Sequence, residues 1–210
     1  MQIAVVGAAG RTGKLVTEQA LGRGHNVVAL ARRPDEAGAS DAKLRVARAD
    51  VLDRDTLDGV FADCEAVIST LGVGSSRAAT EVYSTGITNV LAAMSAAGAS
   101  RLAVISAYPV GPSEDRPGVG DRIVNSILWR IFGATYADMR RMEQILASSD
   151  LSWVALRPPR LIDKPATGSY RIGLKPPPKG RSLRYGDLAS ALLDVLDQPE
   201  LFRTAPYVTN

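Results

Sequence analysis

The sequence predicts a single α/β domain, residues 1–210, built on a doubly wound parallel sheet, and three observations support this fold class. Short apolar runs alternate with segments of helical periodicity, a pattern typical of strands that are buried on both faces and joined by helices. A glycine-rich segment joins the first predicted strand to the first helix. Because crossovers between parallel strands are right-handed in nearly all proteins, this order of elements leads to a sheet with helices on both faces.

The predicted elements follow one another in a regular order that is interrupted twice. The strands are residues 3–6, 27–30, 44–47, 66–69, 102–105, 153–156 and 207–209, and helices begin near Arg11, Asp55, Thr80 and Tyr136, with a last helix at 187–196. Proline and glycine break the alternation at 110–133, where residues 123–133 predict a short helix, and again at 158–186. We expect segments 108–135 and 158–186 to form the substrate side, because binding residues concentrate on loops that a rigid scaffold holds.

Composition narrows the classes of function. The formal net charge is only +3 at pH 7, which is too small to favour nucleic acid as the main partner. A single cysteine, Cys64, excludes an intrachain disulfide and a cysteine cluster, and a single histidine, His25, excludes a histidine-rich zinc site, so no metal is expected. The chain lacks a signal-peptide pattern and any apolar run of roughly 18 residues. We therefore expect a cytoplasmic protein that binds neither a membrane nor a nucleic acid.

The segment from Gly7 to Gly13 predicts a phosphate-binding turn. Gly7 suits a tight turn of unusual φ, Gly10 lets a phosphate approach the backbone, and Gly13 allows close packing of helix on strand. The head of the helix then offers unpaired N–H groups and a partial positive charge to a pyrophosphate, and Thr12 adds a hydroxyl donor. A plain structural turn and the glycine loop of a methyltransferase are the alternatives. The position inside a βαβ unit favours dinucleotide binding on a Rossmann fold.

The end of the second strand favours NADP over NAD. An NAD site normally has Asp or Glu about 20 residues beyond the glycines, whereas this chain has Arg32 and Arg33. A guanidinium group suits the 2′-phosphate through its charge and its planar pair of donors, and Arg11 in the turn could join the two. Alternatively, Arg32 and Arg33 are solvated surface charges.

Residues at three further strand ends complete the predicted nucleotide pocket. They are the pairs Asp50-Val51, Leu71-Gly72 and Ser106-Ala107. Asp50 could accept a hydrogen bond from the adenine amino group, or it could equally serve as a helix cap or turn residue. Leu71 and Gly72 are placed to pass close to the ribose, and Ser106 lies toward the nicotinamide end.

Several segments resemble the atypical short-chain dehydrogenase/reductases, in the branch of biliverdin-IXβ/flavin reductase and NmrA-like proteins. The segments are VVGAAGRTG, ARADVLD, AVISTLG, AVISAY and MEQILASSDLSWVALRPPRLIDKPATGSY, so the resemblance covers nearly the whole chain. The resemblance implies NAD(P) contacts from Gly7, Ala9, Gly10, Arg11, Thr12, Gly13, Arg32, Asp50, Val51, Leu71, Gly72, Ser106 and the segment around Pro158. It also favours a monomer.

The resemblance points to a catalytic set that is altered here. Active members often pair a serine with Tyr-x-x-x-Lys, whereas this chain has Ser106 and Tyr136 with Arg140 in place of lysine. The spacing of four residues puts Tyr136 and Arg140 on one helix face, where Arg140 could stabilise a tyrosinate but could not relay protons. Alternatively, Tyr136 is an ordinary core or surface residue. Tyr108 and Tyr170 are pocket-lining candidates by loop position.

The catalytic set offers few groups that could protonate a product, and this predicts a conjugated hydride acceptor. Reduction of an isolated carbonyl leaves a localised alkoxide that needs an acid nearby, whereas a flavin, quinone or linear tetrapyrrole spreads the charge and takes its proton from water. A basic run could attract an anionic, aromatic acceptor, or it could be a solvated loop; it comprises Arg171, Lys175, Lys179, Arg181 and Arg184. Arg160 is better placed to meet cofactor or substrate. The alternatives are an NADP(H)-binding redox sensor without turnover and, less favoured, a sugar-nucleotide epimerase or dehydratase.

Overall fold

The central sheet matches the prediction. The computed structural model describes residues 1–36, 41–74, 78–112, 118–176 and 182–210. In these ranges the sheet contains β1 (Gln2–Val6), β2 (Asn26–Ala31), β3 (Leu44–Arg48), β4 (Ala66–Ser69), β5 (Arg101–Ile105) and β6 (Ser152–Leu156). The six strands are parallel and lie in the order β3-β2-β1-β4-β5-β6. The chain direction across the sheet reverses between β1 and β4, so a crevice opens at their carboxyl ends.

Helices cover both faces of the sheet. The described part of the chain contains α1 (Arg11–Gly22), α2 (Ser84–Ala97), α3 (Val119–Ala147) and α4 (Tyr185–Asp194). Helices α1 and α4 pack together on one face, and α2 and α3 pack together on the other. Within the described ranges, none of the helices has the length and apolar character needed to cross a membrane.

The two faces of the sheet build two separate cores. Ala4 and Val6 of β1 join the cluster under α2 and α3, whereas Ile3 and Val5 join the cluster under α1 and α4. This alternation follows from the strand period of two, and both sets are buried because both faces are covered. The continuous apolar runs of the sequence are therefore the mark of this double burial.

Two predicted helices differ from the observed ones, and two others meet within α3. The helix predicted near Asp55 is a 3₁₀ turn, Arg54–Leu57, because the next residue is extended and Gly59 has a φ of +66°. The helix predicted near Thr80 begins at Ser84. The short helix at 123–133 and the helix predicted from Tyr136 are the two parts of α3, which meet at a kink where Phe132 has a non-helical φ of −120° and ψ of 18°.

Short strands occupy the C-terminal segments. The antiparallel pair is β8 (Arg171–Gly173) with β10 (Tyr207–Thr209), and the parallel pair is β7 (Arg160–Ile162) with β9 (Ser182–Arg184). The strand predicted at 207–209 is confirmed. The other three were not predicted, because three residues among prolines and glycines show no periodicity.

A buried carboxylate on α3 fixes the head of α2. Asp138 accepts hydrogen bonds from the backbone N–H groups of Tyr83, at 2.9 Å, and Ser84, at 3.4 Å, and from the Ser84 hydroxyl. Its other neighbour is the guanidinium of Arg141, at 3.1 Å. The carboxylate thus supplies from α3 the cap that α2 lacks in its own sequence.

A second buried carboxylate, Asp187, ties the first turn of α4 to the loop that precedes β8. It accepts hydrogen bonds from the backbone N–H groups of Thr167 and Gly168, both at 2.9 Å, from the Thr167 hydroxyl at 2.8 Å and from the Asn210 amide at 2.7 Å. Burial alone would raise the pKa of Asp187, but these hydrogen bonds outweigh it and hold the pKa below its ordinary value of 3.8. The ionised form therefore stabilises the fold.

Asp187→Asn is expected to lower the free energy of unfolding by about 1–3 kcal/mol near neutral pH, because either orientation of the amide turns an NH₂ group toward buried donors. Since the folded-state pKa is depressed, the stabilisation is complete above 3.8 and is lost as the pH falls through the folded-state value. The difference between wild type and variant should shrink accordingly in urea titrations below that pH. Asp150→Asn is the control, because Asp150 is fully exposed, 3.8 Å from Arg203. An equal loss in both variants would contradict the assignment.

Candidate functional site

The glycine turn after β1 folds as the sequence predicts. Gly7 has a φ of +79°, the left-handed region that favours glycine. The N–H groups of Gly7 and Ala8 donate to the carbonyl of Leu30 at 3.1 and 3.0 Å, and the N–H of Gly10 donates to the Gly7 carbonyl at 2.9 Å. The turn is thus held to the end of β2 by backbone hydrogen bonds alone.

Gly13 sets the distance between α1 and β1. A Cβ at Gly13 would lie 2.8 Å from the Cα of Ala8 and closer still to the carbonyl oxygen of Gly7. At Gly10 a Cβ would lie 3.2 Å from the same oxygen. Both positions therefore hold the head of α1 against the turn, and the predicted packing role of Gly13 agrees with the geometry.

The head of α1 has the features of an anion site. The helix begins at Arg11 after the extended residue Gly10, no side chain caps it, and its first turn carries no acidic residue. The Lys14 N–H closes the first helical hydrogen bond with the Gly10 carbonyl at 2.9 Å, so the N–H groups before it have no partner within the helix. The Thr12 residue is buried beneath them. These residues fit the phosphates of a dinucleotide.

Arg11 connects the turn to the C-terminal half of the chain. Its guanidinium lies 3.3 Å from the carboxylate of Asp163 and 5.0 Å from the ring centre of Tyr185. Asp163 directly follows β7, and Tyr185 opens α4. The predicted contact of Arg11 with a phosphate stays a prediction and would compete with these two contacts.

The ends of β2 and β3 form a basic surface. Arg32 and Arg33 directly follow β2 and are exposed, as is Arg48 at the end of β3. In the sheet register Arg48 is the partner of Ala31, the residue before Arg32. Sequence reasoning missed Arg48, although an arginine that ends a predicted strand next to the two others was the available signal.

Asp50 has the turn role that was one of its two predicted roles. Its Oδ1 accepts the Leu52 N–H at 3.1 Å, and its own N–H donates to the Thr56 hydroxyl at 2.9 Å. The neighbouring carbonyl of Val51 accepts the amide of Asn89 at 2.8 Å, which joins this strand end to α2. A contact between Asp50 and adenine stays a prediction.

The remaining predicted cofactor residues lie at the carboxyl edge, but with different surroundings. Leu71 packs against the core, and a Cβ at Gly72 would meet nothing within 4 Å. The N–H of Val73 donates to the Tyr83 hydroxyl at 3.3 Å, which ties this strand end to the head of α2. Ala9 and Ala107 are half-buried. The backbone carbonyl of Pro158 accepts a hydrogen bond from the Tyr108 N–H at 2.8 Å.

Ser106 lies in a buried cluster that the sequence did not predict. Its hydroxyl donates to Oε1 of Glu143 on α3 at 2.6 Å. The same carboxylate holds Arg157, after β6, through Nε at 3.0 Å and Nη2 at 2.6 Å. Burial would lower the pKa of Arg157, but Glu143 and Tyr207 outweigh it and raise it. We refer to these residues as the Ser106–Glu143–Arg157 cluster.

The sequence did not identify Glu143 and Arg157 as the partners of Ser106. Glu143 follows Tyr136 by seven residues, so the two share a helix face, and this spacing was the signal available. Arg157 opens the Arg-Pro-Pro segment, and its guanidinium also lies 5.5 Å from the ring centre of Tyr207. The cluster joins the ends of β5 and β6 to α3 and β10.

Tyr136 and Arg140 are not coupled as the sequence suggested. The guanidinium of Arg140 lies 4.7 Å from the ring centre of Trp129, which in turn packs edge-on against Tyr136 at 5.5 Å. Burial, and then the neighbouring Tyr83, raise the pKa of Tyr136 above 10.0, whereas an activating cation would lower it. Stabilisation of a tyrosinate by Arg140 is therefore not supported, because the cation is engaged by the indole.

Of the two tyrosines that loop position suggested, Tyr170 does not line a pocket at this edge. Its hydroxyl donates to Asp194, which also pairs with Arg23 at 2.6 Å, beyond the end of α1 that lies opposite the glycine turn. Burial, and then this hydrogen bond, raise the pKa of Tyr170. The correction follows from β8, which carries the loop away from the glycine turn. Tyr108 remains near the edge, with its ring centre 5.3 Å from that of Tyr207.

The basic residues of the predicted run differ in burial where the structure describes them. Arg171 lies on β8 and Lys175 beyond it, both exposed, whereas Arg184 is half-buried at the head of α4. Lys179 and Arg181 lie outside the described residues. Arg160 is exposed at the start of β7, after the two prolines.

A parallel sheet in this order, with an open helix head at the first strand–helix junction, defines a dinucleotide-binding domain of the Rossmann type. The chain belongs to the NAD(P)H-binding family, whose sequence model matches residues 7–199. It is 28% identical over 180 residues, 80% of its length, to an uncharacterised chloroplastic protein of Arabidopsis thaliana, and it spans 62% of the length of that relative.

Solved structures agree with this fold. The oxidoreductase ylbE of Lactococcus lactis superposes with a TM-score of 0.83 at 19% identity, covering 100% of this chain and 91% of that one. A short-chain dehydrogenase/reductase of Veillonella parvula in complex with NADP gives 0.82 at 17% identity, covering 100% and 94%. ChuY, an anaerobillin reductase of Escherichia coli O157:H7, gives 0.80 at 22% identity, covering 100% and 97%.

Gly13→Ala is expected to lower stability by about 1–3 kcal/mol, because the added Cβ meets backbone atoms that cannot move independently of the turn. The shift of the turn should also weaken NADPH binding by about tenfold or more, measured by fluorescence titration. Gly22→Ala is the matched control on the same helix, since a Cβ there meets nothing within 4 Å. If Gly13→Ala bound NADPH as tightly as Gly22→Ala, the turn would not be the phosphate site.

Proposed function

We propose that the protein is an NADPH-dependent reductase of conjugated acceptors such as flavins, quinones or linear tetrapyrroles. The observation that carries the proposal is the hydrogen bond from Ser106 to Glu143, because it removes the serine proton from the set of acids available to a substrate. Tyr136 adds a hydroxyl with a raised pKa and no engaged cation. An acceptor that spreads its negative charge over a ring system needs neither group as an acid.

The stoichiometry of this reaction is simple. The bound dinucleotide would supply a hydride, that is two electrons and one proton, so that NADPH, a proton and the acceptor give NADP⁺ and the reduced acceptor. The residues at the head of α1 hold the phosphates, and the carboxyl edge of the sheet leaves the crevice for the acceptor. Catalysis by this set of residues consists mainly of positioning.

The relatives support the same class. ChuY is, by its name, an anaerobillin reductase, and the Veillonella parvula protein was solved with NADP. Both share the fold with this chain across its whole length, and the chain's family binds NAD(P)H. These similarities support the proposal of a nicotinamide-dependent reductase.

The preference for NADPH rests on the basic surface at the ends of β2 and β3. Arg32 and Arg33 stand at the predicted 2′-phosphate position, and Arg48 adds a third guanidinium group beside them through its register with Ala31. A dianionic phosphate gains charge-assisted hydrogen bonds from such groups, whereas the free hydroxyl of NAD does not.

Arg32→Glu is expected to raise the Kd for NADPH by about tenfold or more and to leave that for NADH nearly unchanged, because the phosphate alone senses the reversed charge. Arg48→Gln should also raise the Kd for NADPH more than that for NADH, but by a smaller factor. Isothermal titration with both nucleotides measures the effect, and Arg45→Gln is the control. Arg45 lies three residues earlier on β3 and therefore on the other face, where it bonds the Val60 carbonyl. Equal losses for NADPH and NADH in Arg32→Glu would exclude a 2′-phosphate site there.

A second candidate function is an NADP(H)-binding redox sensor without turnover. The specific observation in its favour is that Arg140, in the position of the usual lysine, stacks on Trp129 instead of activating Tyr136. A sensor needs the nucleotide site but no acceptor site. The next experiment separates the two functions.

Purified protein with NADPH is expected to reduce FMN, a quinone and a linear tetrapyrrole measurably, and an isolated ketone about a hundredfold more slowly, since a localised alkoxide would have no activated acid to protonate it. Loss of absorbance at the reduced-nicotinamide band measures each rate. Gly13→Ala serves as the background control for nucleotide-dependent turnover. Tight binding of NADPH with no turnover of any conjugated acceptor would refute the reductase and favour the sensor.

A further inference from the structure

We propose that Glu143 is a positioning residue that fixes the hydrogen-bond polarity of Ser106 and thereby restricts the acceptor class. This inference rests on the proposed reductase function. Ser106 presents its hydroxyl oxygen to a ligand as an acceptor. Within the proposed class it therefore favours tetrapyrroles and flavins, whose pyrrole and isoalloxazine N–H groups can donate to it, over simple quinones, which carry only carbonyl oxygens. A carbonyl oxygen finds no donor there.

The geometry leaves the serine proton one partner. A hydroxyl carries a single donor, and an ionised carboxylate can only accept. The distance of 2.6 Å from the Ser106 oxygen to Oε1 of Glu143 is that of a charge-assisted hydrogen bond. The two lone pairs of the serine oxygen are what remains for a ligand.

The carboxylate cannot turn away to release the serine. Arg157 holds Oε1 at 3.0 Å through Nε and Oε2 at 2.6 Å through Nη2, which fixes the plane of the carboxylate. Arg157 is fixed in turn by the Tyr207 ring and by the hydrogen bond of its own N–H to the Pro206 carbonyl at 2.8 Å.

Burial makes this arrangement costly to change. Ser106 is 2% exposed, and the side chains of Glu143 and Arg157 are 12% and 13% exposed. Little solvent reaches the cluster, so a serine proton turned away from Glu143 would have no partner until a ligand supplied one, and an unpaired buried polar group carries a desolvation penalty.

One isosteric change inverts the polarity. In Glu143→Gln the amide oxygen must face Arg157, which has donors only. It fits better at the Oε2 position, because an NH₂ group there would meet Nη2 at 2.6 Å, whereas at the Oε1 position it meets Nε at 3.0 Å. The amide NH₂ then donates to Ser106, and the serine proton is free to turn toward a ligand.

The test compares wild type, Glu143→Gln, Ser106→Ala and the double variant, with NADPH and either cyclohexanone or FMN. In Glu143→Gln, kcat/KM for cyclohexanone should rise at least about tenfold, as expected for one new donor to a developing alkoxide. The double variant should lose this gain, because it lacks the hydroxyl. NADPH affinity and Tm of each variant report whether the fold and the nucleotide site are kept.

A spectroscopic measurement gives the same answer without turnover. With NADP⁺ in place of NADPH, the infrared carbonyl stretch of bound cyclohexanone should shift to lower frequency in Glu143→Gln alone. In wild type and in Ser106→Ala the stretch should be equal, and this comparison stands even if Glu143→Gln does not fold.

The outcomes separate this inference from the proposed function. Turnover of FMN by wild type with no cyclohexanone gain in a folded Glu143→Gln, or a gain that persists in the double variant, would overturn the role of Glu143 alone. A lower carbonyl stretch in wild type than in Ser106→Ala would do the same. Absence of FMN, quinone and tetrapyrrole turnover in wild type would overturn the reductase itself.

Discussion

The approach of α1 to β1 at Gly13 is the constraint on which the site depends. With no Cβ between them, the helix head sits directly against the Gly7 carbonyl, and its unpaired N–H groups face the carboxyl edge of the sheet. The turn in turn needs the left-handed φ of Gly7 to reach the Leu30 carbonyl. One pair of glycines thus sets both the register of the turn and the direction in which the partial charge of α1 points.

Buried ion pairs and helix caps join the other elements around the turn. Asp138 ties α2 to α3, and the Ser106–Glu143–Arg157 cluster ties α3 to the ends of β5 and β6. Such buried polar groups contribute little net stability when satisfied but a large loss when one partner is removed. These contacts join α3 to the head of α2 through Asp138 and to the ends of β5 and β6 through Glu143.

The sequence was sufficient for features that arise from local or periodic patterns. Five strands of the sheet could be predicted because burial on both faces makes each an apolar run, whereas β3, an edge strand with Arg45, Val46 and Arg48 exposed, was predicted from its place in the alternation of elements. The glycine turn could be predicted because three glycines occupy fixed spacings. Prediction failed where distant residues decide. Ser106 and Glu143 are 37 residues apart in the chain, and Glu143 and Arg157 are 14 apart, so no spacing rule joins them. The break predicted between residues 133 and 136 corresponds to the kink in α3, since Phe132, beside the glycine at 133, has a non-helical φ of −120° and ψ of 18°.

The replacement of lysine by Arg140 has a consequence that reaches beyond one lost proton relay. A lysine ammonium is compact and could lie beside a tyrosine hydroxyl, but a guanidinium is planar and stacks readily on an aromatic face, as Arg140 does on Trp129. Trp129 is itself fixed by the hydrogen bond of its indole N–H to the Pro109 carbonyl at 2.9 Å. Arg140 therefore stabilises the first half of α3 against the loop after β5, and Tyr136 keeps its proton. The serine proton is held by Glu143, and Tyr136, with no cation beside it, is a weaker acid than an activated tyrosine. A set this poor in acids is the pattern expected if the acceptor supplies its own charge delocalisation.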